Sequence, residues 1–533
     1  MKTKRFSNKM QTRAYVKLLS MLLLTSALLT SCFSDESTAW NQTVGDIEIG
    51  GIENSYVKTA YVGEHLIINP VVNTDYSDAD MEYKWMLVDG RTGTIDEIGD
   101  TIQPRIIGTQ KNLDYEVNIS PGQYQLRLYA TAKSNKYTAI AYATLTVQTN
   151  FSQGFYILKE TVDGNTELEL LDRNGRLTTD LLQAIYGRAL SGKPVNLCTV
   201  YDLAYINPDN DEMETVNTLL VATDRDFNVL RTTDLSKIFD RTNLLFEEMP
   251  ADECVYGLFQ AYMNSVLVTS HGLYTRSGGG TGQFGLPDSE CSPSVNYYHD
   301  FTSYGGGACW DSHSHSLMGF DYYMSLYPLT DKSMGGEDLT QNLTGYDCLY
   351  FCFNFTDDAQ GQFILRDGGT GNRYLYLTSG GFFGQYLTVY KKFAAGSHMA
   401  TAEHYACNGV TASYIYCVDG GKLYACVINS DNMDEVELTP AGIPAGERIN
   451  YVANQFWAAP SSGAADNFDY LIVGTQTGDS YKLYFYETNG GVPVGQPVMT
   501  TTGQGRISKV RYLNTTYRSS YLSYGYHVYN PYD

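Results

Sequence analysis

Short stretches of apolar residues, separated by polar or glycine-containing turns, follow one another along most of the chain. In residues 123–130, Tyr124, Leu126 and Leu128 occupy one face of a predicted strand, and polar side chains alternate with them. Alternation with period two is typical of half-buried β-strands, because successive side chains point to opposite faces. The pattern therefore predicts an all-β protein.

Residues 46–148 are predicted to form one small domain. The segment 83–88 is a predicted strand with Trp85 near its middle, and a Pro-Gly turn at 121–122 precedes the alternating strand. About 100 residues with several short strands and a mid-strand Trp are typical of an Ig-like β-sandwich. We expect Trp85 to be a core residue rather than a platform for a ligand.

Residues 149–533 show a degenerate repeat of two strands joined by a turn. The turns are centred at residues 164, 226, 272, 361, 421 and 478. The intervals between them are 62, 46, 89, 60 and 57 residues, and the longest fits two units with a turn missed near 316–324. Units of roughly 45–60 residues are in the range of β-propeller blades. The spacing predicts seven blades, with two packed β-sandwiches as the alternative.

Residues 505–512, Gly-Arg-Ile-Ser-Lys-Val-Arg-Tyr, are predicted to form a late strand. Pairing of this strand with the first blade would close the ring and remove the free sheet edges. The prediction is specific, because it joins residues from the two ends of the repeat region.

Composition narrows the possible functions. The 533 residues are 43% hydrophobic and 18% charged, include 45 Tyr, and carry a formal net charge of -23. A core is therefore possible, and the acidic surface repels the phosphates of nucleic acids. Neutral glycans and neutral or cationic peptides remain suitable ligands.

The first 31 residues have the pattern of an export signal. Basic residues come first, and the apolar segment 18–30 is too short to cross a bilayer, which needs about 20 residues. Residues 29–32, Leu-Thr-Ser-Cys, resemble the bacterial lipobox, in which the cysteine is lipidated. We predict a signal peptide at 1–31, lipid attachment at Cys32 and an acidic tether at 32–45, with the lipid as the membrane anchor.

Two short motifs carry a resemblance to a known domain. Tyr-x-Trp at 83–85, followed by Pro-Gly-x-Tyr-x-Leu-x-Leu at 121–128, resembles the PKD domain. The usual Gly-Asp-Gly-like turn of that domain is replaced by Val-Asp-Gly-Arg at 88–91. The resemblance supports a PKD/Ig-like domain at 46–148.

The whole layout is similar to PKD-like family lipoproteins of Bacteroidetes: a lipobox, a PKD-like domain and a β-rich region beginning Gly-Phe-Tyr-Ile-Leu at 154–158. This resemblance implies a lipid-anchored protein at the outer-membrane cell surface that binds or presents glycan or oligopeptide. It also implies partners, a SusC-like TonB-dependent transporter and a SusD-like lipoprotein, and no catalytic residue. The alternatives are a surface glycoside hydrolase or lyase on a propeller, and an adhesion or scaffold protein.

Several polar motifs are candidate metal or phosphate sites. His313 and His315, two apart on a strand, would face one way as a metal pair needs, or would simply be polar strand or loop residues. The acidic loop 207–214 fails the EF-hand pattern and is a calcium site or a solvated loop. The glycine-rich loops at 277–282 and 305–307 lack the residues of a phosphate cradle. No metal site, cofactor or catalytic residue is predicted.

Aromatic residues in loop-like stretches are the predicted ligand contacts. Sugar rings stack on aromatic faces, and propeller loops gather at one end, so such residues are binding platforms or packing residues under loops. These residues are Tyr297, Tyr298, Trp310, Phe456 and Trp457.

The ten cysteines suggest no disulfide framework. Beyond Cys32, nine remain, so at least one thiol is unpaired within a monomer. Cys348 and Cys352, four residues apart on a predicted strand, are about 13 Å apart by the strand rise, too far for a disulfide without a bulge. Buried thiols are the favoured interpretation.

Overall fold

The computed structural model describes residues 45–60, 64–88, 92, 103–117, 119, 122–208, 210–261, 264–277, 280–287, 307–320, 326–329, 342–354, 360–381, 384–408, 411–457 and 467–513. They belong to two compact units, the first built mainly from residues 45–145 and the second mainly from residue 146 onwards. Strands dominate both, so the all-β prediction is confirmed.

The described part of the N-terminal region contains nine strands and a 3-10 helix at Asp78–Asp80. The strands are β1 (Ile47–Gly50), β2 (Ser55–Thr59), β3 (His65–Ile68), β4 (Val71–Thr74), β5 (Met81–Val88), β6 (Arg105–Gly108), β7 (Leu113–Glu116), β8 (Gly122–Ala132) and β9 (Thr138–Gln148). Five of them form a sheet in the order β2-β9-β8-β5-β6, while β1 pairs with β4 and β3 with β7.

Trp85 is the central core residue of this region. It lies on β5 opposite Leu128 of β8, and its side chain is fully buried. The indole N–H donates to the backbone oxygens of Gln110 and Lys111, at 3.1 and 3.2 Å, so its polar atom is satisfied within the core. The prediction that Trp85 is a packing residue is confirmed.

The second unit contains 27 of the strands. They are β10 (Gly154–Glu160), β11 (Thr166–Leu171), β12 (Leu177–Thr178), β13 (Pro194–Asn207), β14 (Glu212–Thr223), β15 (Phe227–Arg231), β16 (Lys237–Phe239), β17 (Val255–Ala261), β18 (Asn264–Thr269), β19 (Gly272–Ser277), β20 (Gly307–Asp311), β21 (Ser316–Phe320), β22 (Leu326–Pro328), β23 (Tyr346–Asn354), β24 (Gln360–Asp367), β25 (Arg373–Gly381), β26 (Gly384–Lys392), β27 (His404–Asn408), β28 (Tyr414–Asp419), β29 (Lys422–Val427), β30 (Glu435–Leu438), β31 (Ile449–Trp457), β32 (Phe468–Thr477), β33 (Ser480–Asn489), β34 (Val492–Pro493), β35 (Met499–Gln504) and β36 (Arg506–Leu513).

These strands form seven consecutive sheets within the described residues. The first has the order β12-β11-β10-β36, and the second to sixth are β13–β16, β17–β19, β20–β22, β23–β26 and β27–β30. The seventh contains β31, β32 and β33, with β34 and β35 both paired to β33. Neighbouring strands pair antiparallel within each sheet, as in a β-propeller-like fold. Seven is also the number of units that the turn spacing predicts.

The closing strand is present. The last strand, β36, pairs antiparallel with the first strand of this unit, β10, from Gly154 opposite Leu513 to Glu160 opposite Arg506. The predicted pairing of residues 505–512 with the first blade is therefore confirmed. It covers an edge of the first sheet that would otherwise expose unpaired backbone groups.

A shared core joins the first and seventh sheets. Phe155 on β10 has its ring centroid 4.9 Å from Phe485 of β33, 5.4 Å from Phe468 of β32 and 4.9 Å from Tyr512 of β36. Aromatic contacts of this kind add to the apolar area that the side chains bury. Tyr512 of the closing strand therefore packs against aromatic rings of both the first and the seventh sheet.

Two short helices interrupt the strands, α1 (Leu181–Tyr186) and α2 (His398–Thr401). Within the described ranges no helix is long and apolar enough to span a bilayer.

Candidate functional site

A polar cavity of about 530 Å³ lies beside the hairpin that joins β10 and β11. Its charged lining groups are the side chains of Asp163, Glu167, Asp180, Arg188 and Asp226. A second cavity of about 290 Å³ shares Arg188 and Asp226 with the first. The two cavities therefore form one polar region, which we call the α1 pocket because helix α1 contributes to the wall of both.

The predicted turn at 163–164 forms one rim of the α1 pocket. Thr161 and Asn165 close it, because the backbone N–H of Thr161 donates to the carbonyl oxygen of Asn165 at 2.8 Å. Gly164 has φ of +74°, a backbone conformation that glycine adopts without strain. The turn leaves the Asp163 side chain exposed at the rim.

Glu167 on β11 fixes helix α1 in place. Its carboxylate accepts the backbone N–H groups of Leu182 and Gln183 at 3.1 and 2.8 Å. These donors belong to the first turn of the helix, where a carboxylate is favoured by the unpaired N–H groups and the helix dipole. Burial raises the pKa of Glu167, and the backbone donors offset part of that rise. We interpret Glu167 as the group that positions the pocket wall.

A buried charge cluster lies next to Glu167, on the same face of β11. Glu169 is fully buried, and it forms an ion pair with Lys159 of β10 and accepts the hydroxyl of Tyr481 from β33. Lys159 also pairs with Asp180 at 3.0 Å. Burial lowers the pKa of Lys159, but its carboxylate partners outweigh that effect, and the net shift is upward. The cluster connects the pocket wall to the first and seventh sheets.

The α1 pocket is suited to a polar ligand. Thr161, Asn165 and Ser191 add hydroxyl and amide groups to the charged lining. Carboxylates outnumber cations on the walls of the larger cavity, so the electrostatic field favours neutral or cationic ligands over anions. Such walls can hydrogen-bond sugar hydroxyls, peptide amides or amines.

The predicted aromatic contacts lie elsewhere. Trp310 on β20 is 2% exposed and packs against Leu317, and Trp457 on β31 is 3% exposed with its ring 5.9 Å from that of Tyr512. Phe456 is half-buried on the same strand as Trp457. The two indoles therefore occupy the packing role that the sequence left open. Tyr297 and Tyr298 lie outside the described residues.

The two histidines do not share a strand. His313 and His315 lie in the turn between β20 and β21, and His315 has φ of +50°. Because the chain reverses direction at this point, the two histidines are polar loop residues rather than two residues of one strand. The His315 ring instead contacts the backbone oxygen of Tyr346 through Nδ1 at 3.1 Å. Among the described residues, no group of three or more His, Cys, Asp or Glu is placed to hold a metal.

The acidic loop 207–214 joins β13 to β14 as a hairpin. Glu214 accepts hydrogen bonds from Asn207 at 2.7 Å and from the Tyr205 hydroxyl at 2.9 Å, and pairs with Arg231 at 3.1 Å. The hydrogen bond from Asn207 is the largest cause of a lowered pKa of Glu214. Its oxygens therefore stabilise the hairpin.

A β-bulge separates Cys348 from Cys352. The register of β23 against β24 shifts between Cys348 and Tyr350. Cys348 packs beside the core that contains Trp310, whereas Cys352 contacts Gln362. The two thiols therefore have different surroundings, as a bulge that re-aims side chains would produce. The glycine-rich loops lie partly outside the described residues, which include Gly280, Gly282 and Gly307.

The comparisons with known proteins identify the N-terminal third of the chain. Residues 32–194 match the model of the PKD-like family. This PKD-like segment includes the predicted domain at 46–148 and extends through α1 and the rim of the α1 pocket. No curated protein matches the chain.

Solved structures are similar at low identity. A quinonprotein alcohol dehydrogenase-like protein from Bacteroides thetaiotaomicron has 14% identity and a TM-score of 0.40, over 88% of this chain and 99% of that one. A DUF4784 family protein from Bacteroides caccae has 10% identity and a TM-score of 0.29, over 74% of this chain and 95% of that one. Virginiamycin B lyase from Staphylococcus aureus has 11% identity and a TM-score of 0.33, over 61% of this chain and 93% of that one. At these values the similarities carry no argument about activity.

Sequence reasoning missed the α1 pocket, although one signal was available. The strand 166–171, Thr-Glu-Leu-Glu-Leu-Leu, places Glu167 and Glu169 on one face with period two. That pattern is normally a solvated face, but here both carboxylates are buried. Arg188 and Asp226 come from separate loops, and their proximity depends on how the first two sheets pack.

Proposed function

We propose that the chain is a lipid-anchored protein of the outer-membrane cell surface that binds a neutral or cationic polar ligand, a glycan or an oligopeptide. It acts without catalysis as an accessory of a SusC/SusD-type uptake complex. The α1 pocket is its ligand site, and the partners are a SusC-like transporter and a SusD-like lipoprotein.

The lipobox carries the cellular half of the proposal. Cys32 ends the Leu-Thr-Ser-Cys motif, and the match to the PKD-like family begins at the same residue. Residue 32 is the position at which a lipoprotein signal peptide would be removed. The agreement of a processing motif with the start of a family match supports export and lipidation.

The pocket chemistry supports the ligand half. Its lining offers hydroxyl, amide and carboxylate groups together with one arginine, a set that suits sugars and peptides. The net charge of -23 disfavours polyanionic ligands. Glu167 is engaged in holding α1, and Asp180 is paired with Lys159. The charged groups left to face a ligand are Asp163, Arg188 and Asp226.

The ligand half is tested with Arg188→Ala. Arg188 is exposed at the shared wall of both cavities, so its truncation removes ligand contacts while the core stays intact. Loss of a charged hydrogen bond would weaken binding roughly 10- to 100-fold. Binding is measured by calorimetry, with ligands first identified on glycan and peptide arrays. Lys422→Ala, an exposed cation on β29, is the matched control. Equal affinities for wild type and Arg188→Ala would remove the pocket from the proposal.

The cellular half is tested in native membranes. A mild-detergent pull-down is expected to recover a TonB-dependent transporter and a SusD-like lipoprotein with the wild-type chain. Cys32→Ala is expected to leave the membrane fraction, and continued membrane retention would contradict the lipid anchor. Recovery of the wild-type chain alone would contradict the uptake complex, and turnover of an array ligand would favour the hydrolase or lyase alternative.

A further inference from the structure

Two buried cysteines on neighbouring sheets share one hydrogen-bond acceptor. Cys352 belongs to β23 of the fifth sheet, and Cys407 to β27 of the sixth. Each Sγ atom lies 3.5 Å from Oε1 of Gln362, a residue of β24. The two sulfur atoms are therefore no farther apart than twice that distance. The amino-acid sequence does not indicate this pairing, because 54 residues lie between the two cysteines.

Both side chains are thiols in this structure. Cys352 is 3% exposed, and Cys407 and Gln362 are fully buried. Burial raises the pKa of the Cys407 thiol well above its usual range, and the contact with Cys352 adds to that rise. The side-chain carbonyl oxygen of Gln362 accepts a hydrogen bond from each of the two S–H groups.

The side-chain amide of Gln362 makes its hydrogen bonds to the two cysteines through its oxygen atom. Its Nε2 atom is buried, and the described residues provide it with no hydrogen-bond partner. A buried amide nitrogen without a partner costs free energy, and no hydrogen bond on that side resists a small movement of the side chain as the two sulfur atoms approach.

We propose that Cys352 and Cys407 form a disulfide that links the fifth and sixth sheets in the exported protein. In this step each thiol loses one proton and one electron, and an S–S bond forms between the two sulfur atoms. The oxidant is a disulfide of the thiol-oxidase class, which takes up the two electrons and two protons and becomes a dithiol through thiol–disulfide exchange. Exported proteins meet such oxidants, whereas cytosolic proteins are kept reduced.

The bulge in β23 makes the link selective. Cys348 lies four residues before Cys352, but it packs toward another core and donates to the backbone oxygen of Tyr350 at 3.5 Å. Cys348 is therefore the matched control for Cys352. A link through Cys348 would require the bulge to be undone.

The test is non-reducing peptide mapping of the protein purified from its own outer membrane, with free thiols alkylated during denaturation. The expected result is one cross-linked peptide pair that contains Cys352 and Cys407. Its mass is about 2 Da lower than the sum of the two peptides with these cysteines as thiols. Cys348→Ser is expected to keep the cross-link, whereas Cys407→Ser is expected to leave Cys352 alkylated. The mapping of the wild-type chain needs no variant, so misfolding of Cys407→Ser leaves the result readable.

Alkylation of both Cys352 and Cys407 in the native protein would overturn the proposal, and so would a cross-link that uses Cys348. A thermal melt gives an independent measure. Reductant is expected to lower the midpoint of the wild-type chain and of Cys348→Ser, but not that of Cys407→Ser. Ligand binding and the pull-down are separate measurements, so failure of the uptake function and failure of the disulfide are distinguishable.

Discussion

Two lysines in the first sheet of the second unit have pKa values that are shifted in opposite directions. Lys159 of β10 pairs with Glu169 and Asp180, and its pKa is raised because these partners outweigh the effect of burial. Lys509 of the neighbouring strand β36 donates to Oδ1 of Asn196 at 2.6 Å. Burial lowers the pKa of Lys509 to about 8, Cys198 opposes that shift, and the positive charge of Arg511 adds to it.

The difference shows that the groups around a lysine, rather than burial itself, decide the direction in which its pKa shifts. Burial disfavours the ammonium form in both places, and the carboxylates within ion-pair distance of Lys159 restore it there. The two groups also join different neighbours. The cluster of Lys159 reaches Tyr481 in the seventh sheet, while Lys509 and Arg511 reach Asn196 and Thr199 in the second. Each side of the first sheet thus has its own polar junction.

The largest expected effect comes from removal of the strand that carries Lys509. A stop codon in place of Arg506 deletes β36, and with it the buried side chains of Val510, Tyr512 and Leu513. Each is worth about 1.5–3 kcal/mol of burial, so the total loss approaches the stability of a whole domain. We expect the cooperative thermal transition to disappear in calorimetry. A chain that ends at Leu513 is the matched control, and an unchanged transition in the shorter chain would contradict the closing role of β36.

A smaller effect is expected from Glu169→Ala, which removes a partner of Lys159 while the strand stays. The variant leaves the buried ammonium group of Lys159 with Asp180 as its remaining ion-pair partner. It also removes the carboxylate that accepts the Tyr481 hydroxyl. Breaking a buried pair from one side costs about 3–5 kcal/mol of unfolding free energy. Urea unfolding measures the loss.

The matched control for Glu169→Ala is Glu437→Ala. Glu437 pairs with Lys422 at 2.9 Å on the exposed part of the sixth sheet. Exposed pairs contribute about 0–1 kcal/mol, because water and salt screen them. Similar losses for the two variants would show that Glu169 is less buried than the structure has it.

The sequence predicted the features that depend on local pattern. Five of the six turn centres fall in equivalent hairpins of their sheets, for example Gly164 between β10 and β11 and Gly478 between β32 and β33. The sixth, at 361, falls beside the hairpin between β23 and β24, one strand earlier than in the other sheets. Alternation and turn residues are local signals, so they survive without knowledge of packing.

The candidate site could not be predicted in the same way. Glu169 and Tyr481 are 312 residues apart in sequence, and their contact exists only because the ring of sheets brings the first and seventh together. The aromatic residues failed as a guide for the same reason. Trp310 and Trp457 lie on strands that pack against neighbouring sheets, and a single sequence does not show which face of such a strand is covered.

The smallest expected effect isolates the charge of Lys509 through its pH dependence. Because its folded pKa is about 8, below the usual lysine value of 10.5, the folded state releases this proton first as the pH rises. The unfolded state then binds more protons than the folded state, so stability rises with pH through this window. Between pH 7 and pH 9 the wild-type chain is expected to gain about 1 kcal/mol relative to Lys509→Met. Lys159→Met is the matched comparison, because the raised pKa of Lys159 keeps it protonated in both states over that range. Urea unfolding of the three proteins at both pH values gives the differences, and the same pH slope for wild type and Lys509→Met would mean that Lys509 is solvated.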